Sequence, residues 1–103
     1  MAKVEFSQEA RDDLRSIWHY IAGDNPDAAN RVITEVEKAS EQLASHPRMG
    51  TLRPDYHNLY LWPLPKFRNY LIFYRLKEED SVVQIVRVLQ GSQDLRKSLG
   101  GDE

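Results

Sequence analysis

No cysteine occurs among the 103 residues, which excludes disulfides, thiolate catalysis and cysteine-based zinc sites and suits a reducing cytoplasm. Long apolar runs are missing as well. The longest, Tyr70 to Tyr74, is far too short to cross a bilayer, and the opening Met-Ala-Lys-Val-Glu-Phe has no stretch of signal-peptide length. A soluble, cytoplasmic protein without membrane contact is the expectation. Histidine is scarce: His19, His46 and His57 match no ligand spacing, so no metal is expected. The chain has no G-x-S-x-G turn, no phosphate-binding glycine loop and no dinucleotide fingerprint, and its only adjacent glycines are Gly100 and Gly101. No cofactor follows from any motif, and no repeat or low-complexity segment is present.

What remains is a chain with 41% apolar and 10% aromatic residues, enough to build one core. Its net charge of −2 hides an asymmetry. Residues 1 to 47 hold five Lys and Arg against nine Asp and Glu, whereas residues 48 to 103 hold nine against seven. Between Arg48 and Arg75, five basic residues (Arg48, Arg53, Lys66, Arg68, Arg75) meet one acid, Asp55, and alternate with aromatics including Tyr56, Tyr60, Trp62 and Phe67. Such a face suits a polyanion or an acidic peptide; the other reading makes the aromatics core and the bases a solvated rim. The acidic first half argues against direct DNA binding by this chain.

Periodicity divides the chain into elements. Lys3 to Phe6 alternates as a short strand does. Ser7 is placed to cap a helix whose stripe is Ala10, Leu14, Ile17, Trp18 and Ile21, and Gly23 is read as its left-handed end. Asn25-Pro26 starts a second helix with Ala29, Val32, Ile33, Val36, Ala39 and Leu43 inward, and His46-Pro47 stops it. A link this short makes the helices an antiparallel pair. Residues 47 to 58 read as loop. Leu59 to Leu64 reads as an edge strand because of Pro63 and Pro65, and Tyr70 to Leu76 and Val82 to Leu89 as covered strands joined by a polar hairpin. Leu95 and Leu99 lie four apart, as in one helical turn. The order predicts an α+β domain over residues 1 to 95, with a helical hairpin on a mainly antiparallel sheet and a polar tail at 96 to 103.

Metal-free RNA cleavage needs cations for the phosphate and a base and acid for proton transfer. Lys66, Arg68, Arg75 and Arg87 can supply the cations, but the segment after the last strand, Gln90 to Leu95, offers neither His nor Tyr. No catalytic residue is assigned.

Phe67-Arg68-Asn69-Tyr70-Leu71-Ile72-Phe73-Tyr74-Arg75 and Ile85-Val86-Arg87-Val88-Leu89-Gln90-Gly91 resemble the RelE/ParE superfamily of type II toxins, and the ParE branch more closely. The resemblance spans residues 3 to 95 and includes His46-Pro47-Arg48-Met49-Gly50 and Arg53-Pro54-Asp55. It implies a helical hairpin on a twisted antiparallel sheet and a bacterial toxin encoded beside its antitoxin. ParE toxins are described as DNA gyrase inhibitors and RelE toxins as ribosome-dependent messenger RNA endoribonucleases. The missing acid and base depart from the RelE pattern, and Gln90 stands where ParE-like chains often carry His. The resemblance implies an antitoxin with a ribbon-helix-helix start and a disordered acidic tail that folds onto the toxin. Arg53, Tyr60, Trp62, Lys66, Arg68, Arg75 and Arg87 are the candidate contacts, with Trp62 read as an exposed anchor and Trp18 as core. For the arginines the alternative is structural pairing with carbonyls or carboxylates.

Overall fold

A computed structural model describes residues 1 to 92 and 94 to 100. Strand β1 (Lys3–Phe6) leads into helices α1 (Gln8–Ala22) and α2 (Pro26–Ser45), followed by β2 (Thr51–Arg53), a 3-10 turn (Pro54–Tyr56), β3 (Leu59–Leu64), β4 (Phe67–Lys77), β5 (Val82–Gln90) and a short α3 (Leu95–Ser98). The five strands form one sheet in the order β1-β5-β4-β3-β2. Only the β1–β5 pair is parallel, which agrees with the mainly antiparallel α+β expectation.

The capping chemistry sets the helix starts. Ser7 Oγ accepts from the Ala10 amide at 3.0 Å, and Asn25 Oδ1 accepts from Ala28 at 3.1 Å with Pro26 beginning α2. Gly23 differs from expectation: it stays right-handed (φ −55°, ψ −34°). The physical reason is the short link. The amides of Asp24 and Asn25 both fold back onto the Ile21 carbonyl, so the turn tightens without a left-handed residue.

Two apolar clusters flank the sheet. The hairpin side joins Ala10, Val32, Val36, Ala39 and Leu43 to Ile72, Tyr74, Val83, Ile85 and Val88. The opposite side buries Leu59, Phe73 and Leu89 under Tyr56, Leu95 and Leu99. Within the first cluster, the Tyr74 hydroxyl donates to the Pro47 carbonyl at 2.8 Å and accepts from the Gly50 amide at 2.9 Å. Gly50 is required there, since a Cβ would meet that hydroxyl at 2.7 Å and the Leu61 carbonyl at 2.9 Å.

Two readings of the middle of the chain are corrected. The loop between residues 47 and 58 contains β2, which pairs with Leu59, Tyr60 and Leu61 and takes the sheet edge from β3. Pro63 is tolerated because it lies beyond the end of β2, where no ladder bond is asked of its nitrogen on that side. Trp62 is half-buried against the hairpin-side core, opposite Ile72, and is no exposed anchor. Its indole N–H is buried without a hydrogen-bond partner. Trp18 is only half-buried; its indole donates to Asn30 Oδ1 at 2.8 Å across the helical hairpin.

Candidate functional site

A cleft with both polar and apolar lining lies on the sheet face away from the hairpin. It measures about 710 Å³ and runs between the start of α1, strands β4 and β5 and the C-terminal turn. Ser7, Glu9, His57, Arg75, Gln84 and Arg87 supply its polar lining, and Leu59, Val86 and Leu99 its apolar lining.

A β-bulge places Arg87 in this cleft. The β4–β5 register pairs Phe73 with Arg87 but Tyr74 with Ile85, which leaves Val86 as the extra residue. Strict alternation from Ile85, which packs in the hairpin-side core, would aim Arg87 into that apolar layer. The extra residue lets Val86 and Arg87 both line the cleft. Arg75 needs no such device, as it lies two residues beyond Phe73 and pairs with Gln84, another cleft residue.

The two arginines differ in their commitments. Arg87 grips Asp13 of α1 through Nε to Oδ2 at 2.7 Å and Nη2 to Oδ1 at 2.8 Å, and its Nη1 donates to the Ser98 carbonyl. Asp13 Oδ2 also accepts from the Val88 amide at 3.0 Å. The carboxylate holds the guanidinium charged, so its pKa rises despite the opposing effect of burial. Arg87 therefore ties α1, β5 and the C-terminal turn together. Arg75 is exposed and has neither ion pair nor hydrogen bond among the described residues. Ser7 is a second tie: its hydroxyl donates to the Val86 carbonyl at 2.7 Å while capping α1.

The remaining candidates scatter. Arg53 pairs with Asp55 at 2.7 Å and lies over the Tyr56 ring at 4.6 Å. That contact, above all its hydrogen bond, lowers the Asp55 pKa. Tyr60 stacks on Tyr74 with ring centres 5.2 Å apart and accepts from Arg48 Nη1 at 2.9 Å. Lys66 lies 3.7 Å from Glu35 on α2, and Arg68 is exposed near the start of β4. The fold thus brings Arg75 and Arg87 together and leaves Arg53, Tyr60, Trp62, Lys66 and Arg68 outside the cleft.

Sequence reasoning missed Glu9, Asp13, His57 and Gln84. A carboxylate 74 residues from its arginine carries no local signal of the contact. His57 was readable only as a loop residue; its left-handed backbone (φ 57°) turns the chain into β3 at the cleft wall. Among the described residues no group of His, Asp and Glu could hold a metal ion, and no helix is long and apolar enough to cross a membrane.

The architecture is shared with a solved structure titled "Chromosomal ParDE TA system from P. aeruginosa". The match has a TM-score of 0.68 and 19% identity over 87% of this chain and 96% of that one, a likeness of fold. No curated protein matches in sequence. The profile of the family described as "ParE toxin of type II toxin-antitoxin system, parDE" covers residues 4–95, and the chain belongs to that family.

Proposed function

We propose that this protein is a non-enzymatic toxin that binds and inhibits DNA gyrase in the cytoplasm and is neutralised by an antitoxin encoded beside it. The antitoxin would carry a ribbon-helix-helix domain for the operator and an acidic disordered tail for the toxin. Family membership supports the toxin role, and the observation that favours binding over chemistry is the state of Arg87. Arg87, one of the two arginines in the cleft, already uses each of its three guanidinium nitrogens on Asp13 or Ser98. The proposed contact set then divides by availability: among the described residues Arg68 and Arg75 have no side-chain partner, whereas Arg53, Lys66 and Arg87 are paired within the chain. In the deciding experiment, purified gyrase is assayed for supercoiling with saturating protein. Inhibition that is relieved by the neighbouring gene product supports the proposal, and unimpaired supercoiling rejects it.

One observation favours a second reading, ribosome-dependent cleavage of messenger RNA. His57 and Glu9 line the same cleft as Arg75 and offer the proton-transfer groups absent from the segment after β5. Primer extension on cellular messages after induction separates the readings. Cleavage that disappears in His57→Ala supports the nuclease, and intact messages dismiss it.

A further inference from the structure

A second groove lies where α2 meets the turn from β3 into β4, and it shares no residue with the cleft around Arg75 and Arg87. Its volume is about 360 Å³, within the range of small-molecule sites. Asn30, Arg31, Glu35 and Lys38 form one wall because residues three and four apart share a helix face, and Lys66 and Phe67 form the other. Three cations thus meet one carboxylate. The Nζ atoms of Lys38 and Lys66 both lie 3.7 Å from Glu35 Oε2, near enough for charge pairing and too far for a hydrogen bond, so neither spends an N–H donor on it. Arg31 is exposed and has neither ion pair nor hydrogen bond among the described residues. Asn30 Oδ1 accepts from the Trp18 indole at 2.8 Å, which leaves its amide nitrogen as a further donor.

These walls are complementary to unlike parts of one ligand. The surplus of positive charge suits a phosphate, and the half-buried Phe67 ring suits the flat face of a base. Glu35, whose side chain is only 14% exposed, discriminates between anions: its carboxylate repels a purely acidic peptide but accepts from hydroxyls, as acidic residues do from a ribose. One aromatic ring and one cation cluster in so small a groove match a single nucleotide unit, whereas a strand would ask for successive stacking platforms. We propose that this groove binds a ribonucleotide, with its phosphate on Arg31, Lys38 and Lys66, its base against Phe67 and its ribose hydroxyls donating to Glu35. A phosphate draws the two ammonium groups away from Glu35 and so opens that carboxylate to the ribose. Occupancy of the groove does not depend on a gyrase target or on neutralisation by an antitoxin.

The test titrates adenosine 5′-monophosphate into the full-length chain and follows the amide NMR shifts, with adenosine, the deoxynucleotide and inorganic phosphate as comparators. Saturable shifts are expected at the Arg31, Glu35 and Phe67 amides, with adenosine and phosphate each about tenfold or more weaker than the nucleotide. Lys66 is 71% exposed, so Lys66→Gln should melt like wild type while losing about fivefold in affinity; Lys66→Arg should recover most of it, and added salt should weaken binding. The assignment is overturned by shifts that do not saturate at about 5 mM nucleotide, by phosphate binding as tightly as the nucleotide, or by Lys66→Gln within about twofold of wild type. A deoxynucleotide bound as tightly as the ribonucleotide strikes out the contact with Glu35 and the ribonucleotide with it. A short oligoadenylate or a glutamate-rich peptide that moves the same amides about tenfold more tightly gives the groove to a macromolecule and overturns the proposal too.

Discussion

The two faces of the sheet solve different problems. The hairpin side is an apolar layer in which Val36, Leu43, Ile72, Tyr74 and Ile85 are fully buried and the Tyr74 phenol makes two hydrogen bonds. The other side is covered more thinly. Tyr56 stands edge-on to Phe73 with ring centres 5.7 Å apart, Leu95 and Leu99 supply one helical turn, and beyond them the face opens into the cleft. The first face supplies folding free energy, each fully buried aliphatic or aromatic side chain contributing roughly 1.5–3 kcal/mol. The second buries less and leaves Arg75 exposed.

The largest expected effect tests that contrast directly. Ile72→Ala should cost about 3–4 kcal/mol and Leu59→Ala about 2 kcal/mol, because the thin second layer can settle into the space left behind. Thermal melts would read the difference as several degrees, and equal losses would erase the distinction between the faces.

Next comes the tie between them. Asp13→Ala strands Arg87, whose side chain is 22% exposed, so the loss should be about 2 kcal/mol, below the figure for a fully buried pair. Denaturant melts check it, and an unchanged midpoint would mean the pair is ornamental.

Smaller still is Tyr74→Phe, at about 1 kcal/mol near neutral pH, since it leaves the Pro47 carbonyl and Gly50 amide short of a partner. Its pH signature is more informative. Burial pushes the Tyr74 phenol above the ordinary tyrosine value, so the folded chain holds this proton longer than the unfolded chain. The resulting stability is present in full below the unfolded phenol's pKa, near pH ~10, and is lost as pH rises from there through the folded value. Tyr74→Phe should shallow the alkaline decline, with the similarly raised Tyr70 keeping part of it. A slope identical to wild type would remove Tyr74 as its source.

The smallest effect is a gain. Glu78, Glu79 and Asp80 are consecutive left-handed residues (φ 51°, 55° and 70°), with Arg48 anchoring Asp80 at 2.8 Å. Glu79→Gly should relieve one strained residue and raise stability by about 0.5–1 kcal/mol, seen as a slightly higher melting temperature. A lower one would show that the turn is set by contacts the backbone angles do not reveal.

Much of the fold was legible because its determinants are local. Ser7, Asn25-Pro26 and His46 mark helix boundaries through capping bonds within a few residues, and the nearly continuous apolar runs of β4 and β5 mark strands covered on both faces. The edge was misread for the opposite reason: β2 is three residues long, too short for any alternation to stand out, and its identity depends on pairing with Leu59 to Leu61. The cleft was legible only in Arg75 and Arg87. Glu9, Asp13 and Gln84 come from segments whose patterns report only a helix and a strand.

The sequence by itself determined the α+β class, the helical hairpin and the family, since capping, periodicity and contiguous motifs are properties of neighbouring residues. Tertiary structure alone decided which arginine is spent and which is free. That choice rests on one extra residue in β5 and on a carboxylate delivered by α1, and electrostatic pairing acts over ångströms in space, without regard to distance along the chain.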